Sequence, residues 1–247
     1  EDSSEVETTQ ENPSVVPKTT DEQKDTSQSK YDGKNNKAES SDKKTEEKSE
    51  DKKVKSTGKR VDIYDTHQDE SYKGGKTVLD AAAILAQKLE DRGIKVVLET
   101  NDFIRYRDTH GLTYNESYVV SYKYLNEALV NYGGFDMCLD LHRDSIPREA
   151  SYINIDGKNY AKGMFVVGGL GKNAKTATKL STTLTDTINA KKNGIMKGVM
   201  TREAYYNQEV AKNIVLMELG GDVNTFEEVS NSLDVIADGI HDVLTKE

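Results

Sequence analysis

Apolar residues are nearly absent from the first 58 positions and then recur in two distinct rhythms. Val61-Asp62-Ile63-Tyr64 reads as a short strand. Thr77 follows as a helix N-cap with Asp80 in the first turn. Val78, Ala82, Leu85 and Leu89 recur at helical spacing, and Gly93 stands where that helix would end. Ile94–Leu98 is apolar and β-branched, a second strand. Thr113 and Glu116 form a capping-box pair ahead of a helix face made by Tyr118, Tyr122, Leu125 and Leu129, closed by Gly133. Phe135–Leu141, Ser151–Ile155 and Met164–Val167 read as strands. Asn173 caps a helix carrying Ala177, Leu180, Leu184 and Ile188, and Lys197–Arg202 is a short strand. Ile214–Leu219 is apolar at nearly every position, as a strand covered on both faces would be. A second capping box, Thr225 with Glu228, opens a last helix with an apolar seam of Val229, Leu233, Ile236, Ile240 and Val243.

Strands alternating with helices predict an α/β fold: a three-layer sandwich with a largely parallel mixed central sheet and helices on both faces. In such sheets ligands bind beyond the carboxyl ends of the strands, so chemistry is to be sought there.

The first 58 residues contain only Val6, Val15, Val16, Tyr31, Ala38 and Val54 as apolar residues. That is too little to offset about 1–2 kcal/mol per residue of backbone ordering entropy. Residues 1–58 therefore read as a disordered charged linker, and 59–247 as one folded domain. A long polar tether of this kind is expected after an anchor or export segment that the sequence itself does not contain. The net charge of −9 and the lack of a basic stripe argue against nucleic acid as a partner. No apolar run approaches the ~18 residues of a membrane span. Cys138 is the sole cysteine, lies in an apolar run and reads as a buried small hydrophobe.

Three segments carry candidate chemistry. His67 and Glu70 follow the first strand, His142 closes the third, and Glu218 ends the late apolar strand. All three points fall on the same predicted sheet edge. Two imidazoles and a carboxylate are good zinc ligands, and catalytic zinc sites keep one position for water. His67, Glu70 and His142 would supply such a set, and Glu218 a carboxylate to move the proton. Asp140, two residues before His142, could orient its ring. A carboxylate in a buried strand is costly unless it is paired, so Glu218 could instead face an arginine such as Arg143. His110 reads as a surface loop residue and His241 as solvated on the polar side of the last helix. Asn173, Asn207 and Asn224 could contact sugar or peptide, or serve as caps and loop residues.

Thr66-His67-x-x-Glu70-Ser71-Tyr72, Leu139-Asp140-Leu141-His142-Arg143-Asp144, Tyr206-Asn207-Gln208 and Glu218-x-Gly220-x-x-x-Asn224-Thr225-x-Glu227-Glu228 together resemble the stage II sporulation protein P family. The resemblance covers Arg60 to Leu244 and leaves the segment before Lys59 outside. These wall hydrolases are related to zinc-dependent N-acetylmuramoyl-L-alanine amidases. The resemblance implies that 59–247 is a zinc (Zn2+) amidase domain, with His67 and His142 as ligands and Glu218 as catalytic carboxylate. The implied reaction cuts peptidoglycan between muramic acid and L-alanine, with a second activity on peptide cross-links. It also implies an exported, membrane-anchored protein facing the wall at the sporulation septum, acting in forespore engulfment beside a stage II sporulation protein D-like lytic transglycosylase. One position departs from the wider amidase pattern, which puts a ligand Glu at the start of the first helix. Ser71–Leu79 holds no acid, so Glu70 takes that role, with Asp69 as the other choice.

Two further readings fit the same residues. A zinc carboxypeptidase also has His-x-x-Glu, a distant His and a late Glu, but needs an arginine for the substrate's terminal carboxylate. A non-catalytic wall-binding module would need no metal.

Overall fold

The computed structural model describes residues 54–246. Most of the charged segment read as a linker, residues 1–53, lies outside the described residues. From Thr57 the chain is tied down, with Thr57 N and Oγ1 both donating to Gly93 O at 2.9 Å.

Eight strands and six α-helices follow. Arg60–Tyr64 is β1, Val78–Glu90 α1, Lys95–Leu98 β2, Phe103–Thr109 α2 and Ser117–Tyr132 α3. Met137–Asp144 is β3, Arg148–Ser151 α4, Tyr152–Ile155 β4, Lys158–Ala161 β5 and Gly163–Gly168 β6. Ala174–Lys191 is α5, Met196–Arg202 β7, Ile214–Gly221 β8 and Phe226–Thr245 α6. Six strands form one sheet in the order β2-β1-β3-β8-β6-β7. The first four are mutually parallel; β6 runs antiparallel to β8, and β7 parallel to β6. The expected three-layer α/β architecture with a largely parallel mixed sheet is the one observed.

The pleat divides the residues cleanly. Val61, Ile63, Met137, Leu139, Leu141, Val215, Met217 and Leu219 share one face and pack with α1, α5 and α6 in the main core. Tyr64, Cys138 and Ile214 face the other way, against Leu125 of α3. Cys138 is fully buried, as expected of a small hydrophobe.

Three elements differ from the reading of the sequence. Ser151–Ile155 is not a strand of the central sheet: Ser151 ends α4, and β4 pairs only with β5 in a separate hairpin. The hairpin turn is Asp156-Gly157, both with positive φ (54° and 81°), the geometry that matches strand twist in a two-residue loop. Neither β5 nor α2 is apparent from periodicity. α2 buries only Phe103, which stacks on Tyr124 of α3 at 5.2 Å. Among the other histidines, His110 is exposed at the end of α2, and His241 is half-buried beside Asp242 rather than fully solvated.

Candidate metal centre

The site lies where β1, β3 and β8 end. Because these strands are parallel and in register, Asp140, His142 and Glu218 fall on one face, and the Cα of His142 pairs with that of Glu218. After β1 the chain turns back: Glu70 N donates to His67 O at 3.0 Å, which points both side chains the same way. Gln68 braces this turn from outside, donating to Asn101 O at 2.9 Å and accepting from Phe103 N at 2.9 Å.

His67 Nδ1 lies 3.6 Å from Glu70 Oε1, and His142 Nδ1 lies 3.4 Å from Glu70 Oε2. Donor atoms of the three residues all fall within 4.8 Å of one another. Zinc bonds of about 2.0–2.1 Å in a tetrahedron put donor atoms about 3.4 Å apart, so the residues present fit this ion. Asp69, the other candidate, turns away; its carboxylate is 3.6 Å from Arg107. Of the two acids, Glu70 is the one the structure brings beside both histidines.

A buried frame holds the candidate ligands. His142 Nε2 lies 3.0 Å from Asp140 Oδ1, which accepts from Thr66 N at 2.9 Å. The Thr66 hydroxyl donates to Asp140 Oδ2 at 2.7 Å. Thr66 has one hydroxyl proton and spends it there, so Ser121 supplies the proton in the 2.9 Å contact between the two hydroxyls. Asn207 Nδ2 in turn donates to Ser121 Oγ at 3.0 Å. Glu70 Oε2 also accepts from Arg143 N at 2.9 Å. Aromatic rings enclose His67: Tyr114 stacks on it at 4.3 Å, and Tyr118 meets it edge-on at 5.5 Å.

The electrostatics follow from this crowding. Burial works against charge on Glu70, but His142, His67 and the Arg143 N–H outweigh it and hold the carboxyl at about 2. Burial likewise opposes charge on His142, yet Asp140 and Glu70 raise its proton affinity well above the usual imidazole range. Glu218 is pushed up to about 7, first by burial, with His142 pulling down and Glu70, Asp144 and Asp140 pushing up. Its Oε2 is buried without a hydrogen-bond partner. The arginine partner considered for Glu218 is elsewhere: Arg143 Nε donates to Ser71 O at 3.1 Å.

The three asparagines are buried structural residues. Asn173 donates to Gln208 O and Glu209 O, Asn207 to Tyr118 O and Ser121 Oγ, and Asn224 to Glu228 Oε2. Ser121 and Tyr114 belong to the site but carry no separate signal in the sequence, and Thr66 stands there only as the first residue of the His67 motif. Tyr118 is visible there only as part of a helix face.

A family model described as Stage II sporulation protein P (SpoIIP) matches residues 1–241. The chain belongs to the stage II sporulation protein P family. The match includes the charged N-terminal segment that the motif resemblance left out. The stage II sporulation protein P of Bacillus subtilis (strain 168) is 31% identical over 199 residues, covering 73% of this chain and 50% of that protein. The chain thus spans about half the length of this curated relative. Among solved structures, the CwlD amidase from Clostridioides difficile, determined in complex with the GerS lipoprotein, superposes with a TM-score of 0.52 at 16% identity. It covers 74% of this chain and 94% of its own. The N-acetylmuramoyl-L-alanine amidase AmiC2 of Nostoc punctiforme gives 0.50 at 15% identity, covering 78% and 99%. At these identities the likeness establishes a shared fold for this member of the sporulation protein P family.

Proposed function

We propose that this chain is a peptidoglycan hydrolase that cleaves the amide between N-acetylmuramic acid and L-alanine. Zn2+ would be held by His67, Glu70 and His142, with Glu218 as the catalytic acid–base. The observation that carries the reading is the spacing of two imidazoles and one carboxylate around a common point, with half-buried Glu218 on the adjacent strand, its Oε2 buried without a hydrogen-bond partner. Family membership supports the wall substrate and a role in sporulation. Amidase-named proteins sharing the fold are consistent with it.

Zinc, when bound, would bring the pKa of a water down to about 7 and polarise the amide. Glu218 would take the attacking water's proton on Oε2 and return it to the departing amine nitrogen. Asp140, against Nε2 of His142, leaves Nδ1 turned to the ligand cluster. The products are the lactyl carboxylate and a stem peptide with a free L-alanine amine. The proposal places the reaction in forespore engulfment, on the wall side of the membrane, a reading supported by membership of a sporulation family. Among the described residues no helix is long and apolar enough to cross a membrane.

The carboxypeptidase reading is weaker, because the arginine considered for it is engaged elsewhere: Arg143 donates to Ser71 O and Asp144 O. Digestion of purified peptidoglycan separates the readings. New L-alanine amino termini are expected, abolished by chelator and restored by zinc. Glu218→Gln should lose about 10²–10⁴-fold in rate while keeping stoichiometric zinc. Release of single terminal residues would favour the carboxypeptidase. Absence of zinc together with an unchanged Glu218→Gln phenotype would favour a binding module.

A further inference from the structure

Tyr206-Asn207-Gln208, in the loop between β7 and β8, is built at a conformational cost that the ligand set does not explain. Tyr206 and Asn207 both have φ of +55°. Asparagine tolerates the left-handed region, but for a bulky residue such as Tyr206 it costs roughly 1–2 kcal/mol and persists only where the surroundings impose it. The surroundings here are buried amides. Asn207 Nδ2 donates to Tyr118 O and Ser121 Oγ, both at 3.0 Å. Gln208 Nε2 donates to Val166 O at 2.8 Å, and its Oε1 accepts from Gly168 N at 2.9 Å. Asn173 donates to Gln208 O and Glu209 O at 3.0 and 3.1 Å. The loop presses on the end of β6 so closely that a Cβ at Gly168 would lie 2.4 Å from Tyr205 O.

None of these bonds uses the Tyr206 hydroxyl. What the arrangement fixes is the position of its ring, half-buried and 5.6 Å from that of Tyr118, which stacks on His142 at 6.4 Å. Tyr114 and His67 form the other end of this row of rings. Besides burial, the groups acting on the Tyr206 phenol are Arg202, Glu218 and His142, and the net effect raises its pKa, so it remains an O–H donor at neutral pH.

We propose that Tyr206 is a further catalytic residue, its hydroxyl donating a hydrogen bond to the oxygen of the scissile carbonyl as negative charge develops there. The inference rests on the hydrolase reading above. As the water oxygen bonds to the carbonyl carbon, the C=O π pair moves onto oxygen and the water's proton passes to Glu218. Tyr206 stabilises that oxygen through its O–H and keeps its proton. When the pair returns, the C–N bond breaks and the nitrogen leaves with the proton from Glu218. A donor aimed at charge that appears only in the transition state acts on kcat and leaves KM largely untouched.

Tyr206→Phe keeps the ring and removes the donor. On a soluble muropeptide, kcat should fall about 10²-fold with KM within about twofold of wild type. Zinc content and melting temperature should not change. Calorimetric titration of zinc-loaded protein with methylphosphonate, a tetrahedral anion, should show at least about tenfold weaker binding than wild type. Asn207→Ala, which releases the loop, should lower both kcat and melting temperature. Wild-type kcat in Tyr206→Phe, or equal methylphosphonate binding by the two proteins, overturns the inference. So does loss of zinc or a lower melting temperature in Tyr206→Phe, which would make the residue structural. If wild type releases no L-alanine terminus, the amidase reading fails while the methylphosphonate comparison still decides the role of Tyr206.

Discussion

Asp140 is fully buried, and both its oxygens are engaged by Thr66 while one lies against His142. Its place against Nε2 suits it to orienting the His142 ring. Asp140→Asn should weaken zinc binding by about 10–100-fold, the usual consequence of losing a carboxylate behind a ligating histidine, measured by competition with a chromophoric chelator; unchanged affinity would remove Asp140 from the site. His142, Glu218 and Asp140 are legible in the sequence because strand alternation and the strand-end rule both point at them. Choosing Glu70 over Asp69 is not, because it depends on how tightly one turn closes. That closure is a hydrogen bond from Glu70 N to His67 O, and it sends Asp69 toward Arg107. The roles of Thr66 and Ser121 escape for a related reason: short hydroxyl side chains gain a role only from what stands opposite them.

Long helices with a broad apolar face are easy to read, and α1, α5 and α6 emerge from spacing alone. α2 does not, because one buried phenylalanine makes no stripe. β4 and β5 are short and off the main sheet, although the Asp156-Gly157 pair is a hairpin signal in its own right. Gly93 shows how a helix end can also serve the chain that crosses it. Its φ is +80°, and a Cβ there would sit 2.2 Å from Lys55 O. Gly93→Ala combines left-handed strain of about 1–2 kcal/mol with a backbone clash. It should lower the melting temperature by at least about 4 °C for a domain of this size, while zinc affinity stays at the wild-type value. An unchanged melting temperature would mean the segment at Lys55 gives way freely.

For the molecule as a whole, the polar face of the sheet carries more acid than its burial favours. Asp62, 2% exposed, is pushed up to about 7 by burial and then by Glu99 and Asp140. Unfolded, it titrates near 3.8. Between these values the native state holds a proton that the unfolded state has lost, so stability falls as pH rises from about 4 to 7 and the full cost remains above that. Every tenfold gain in proton affinity on folding corresponds to about 1.4 kcal/mol, which makes the penalty a few kcal/mol. Asp62→Asn should therefore melt several degrees above wild type at pH 8, with the gap closing toward pH 4–5. A constant gap across that range would show that charge is not the cause.

The buried chain from Asn207 through Ser121, Thr66 and Asp140 to His142 joins the β7–β8 loop to the strand bearing a candidate ligand. Moving that loop outward would strip partners from groups with no water to replace them, at about 1–3 kcal/mol for each one left unsatisfied. The position of the loop beside the site is therefore gauged from beneath, as the jaws of a caliper are by their common beam. Whatever binds beside the loop meets side chains already in place, and the entropy of arranging them was lost when the chain folded.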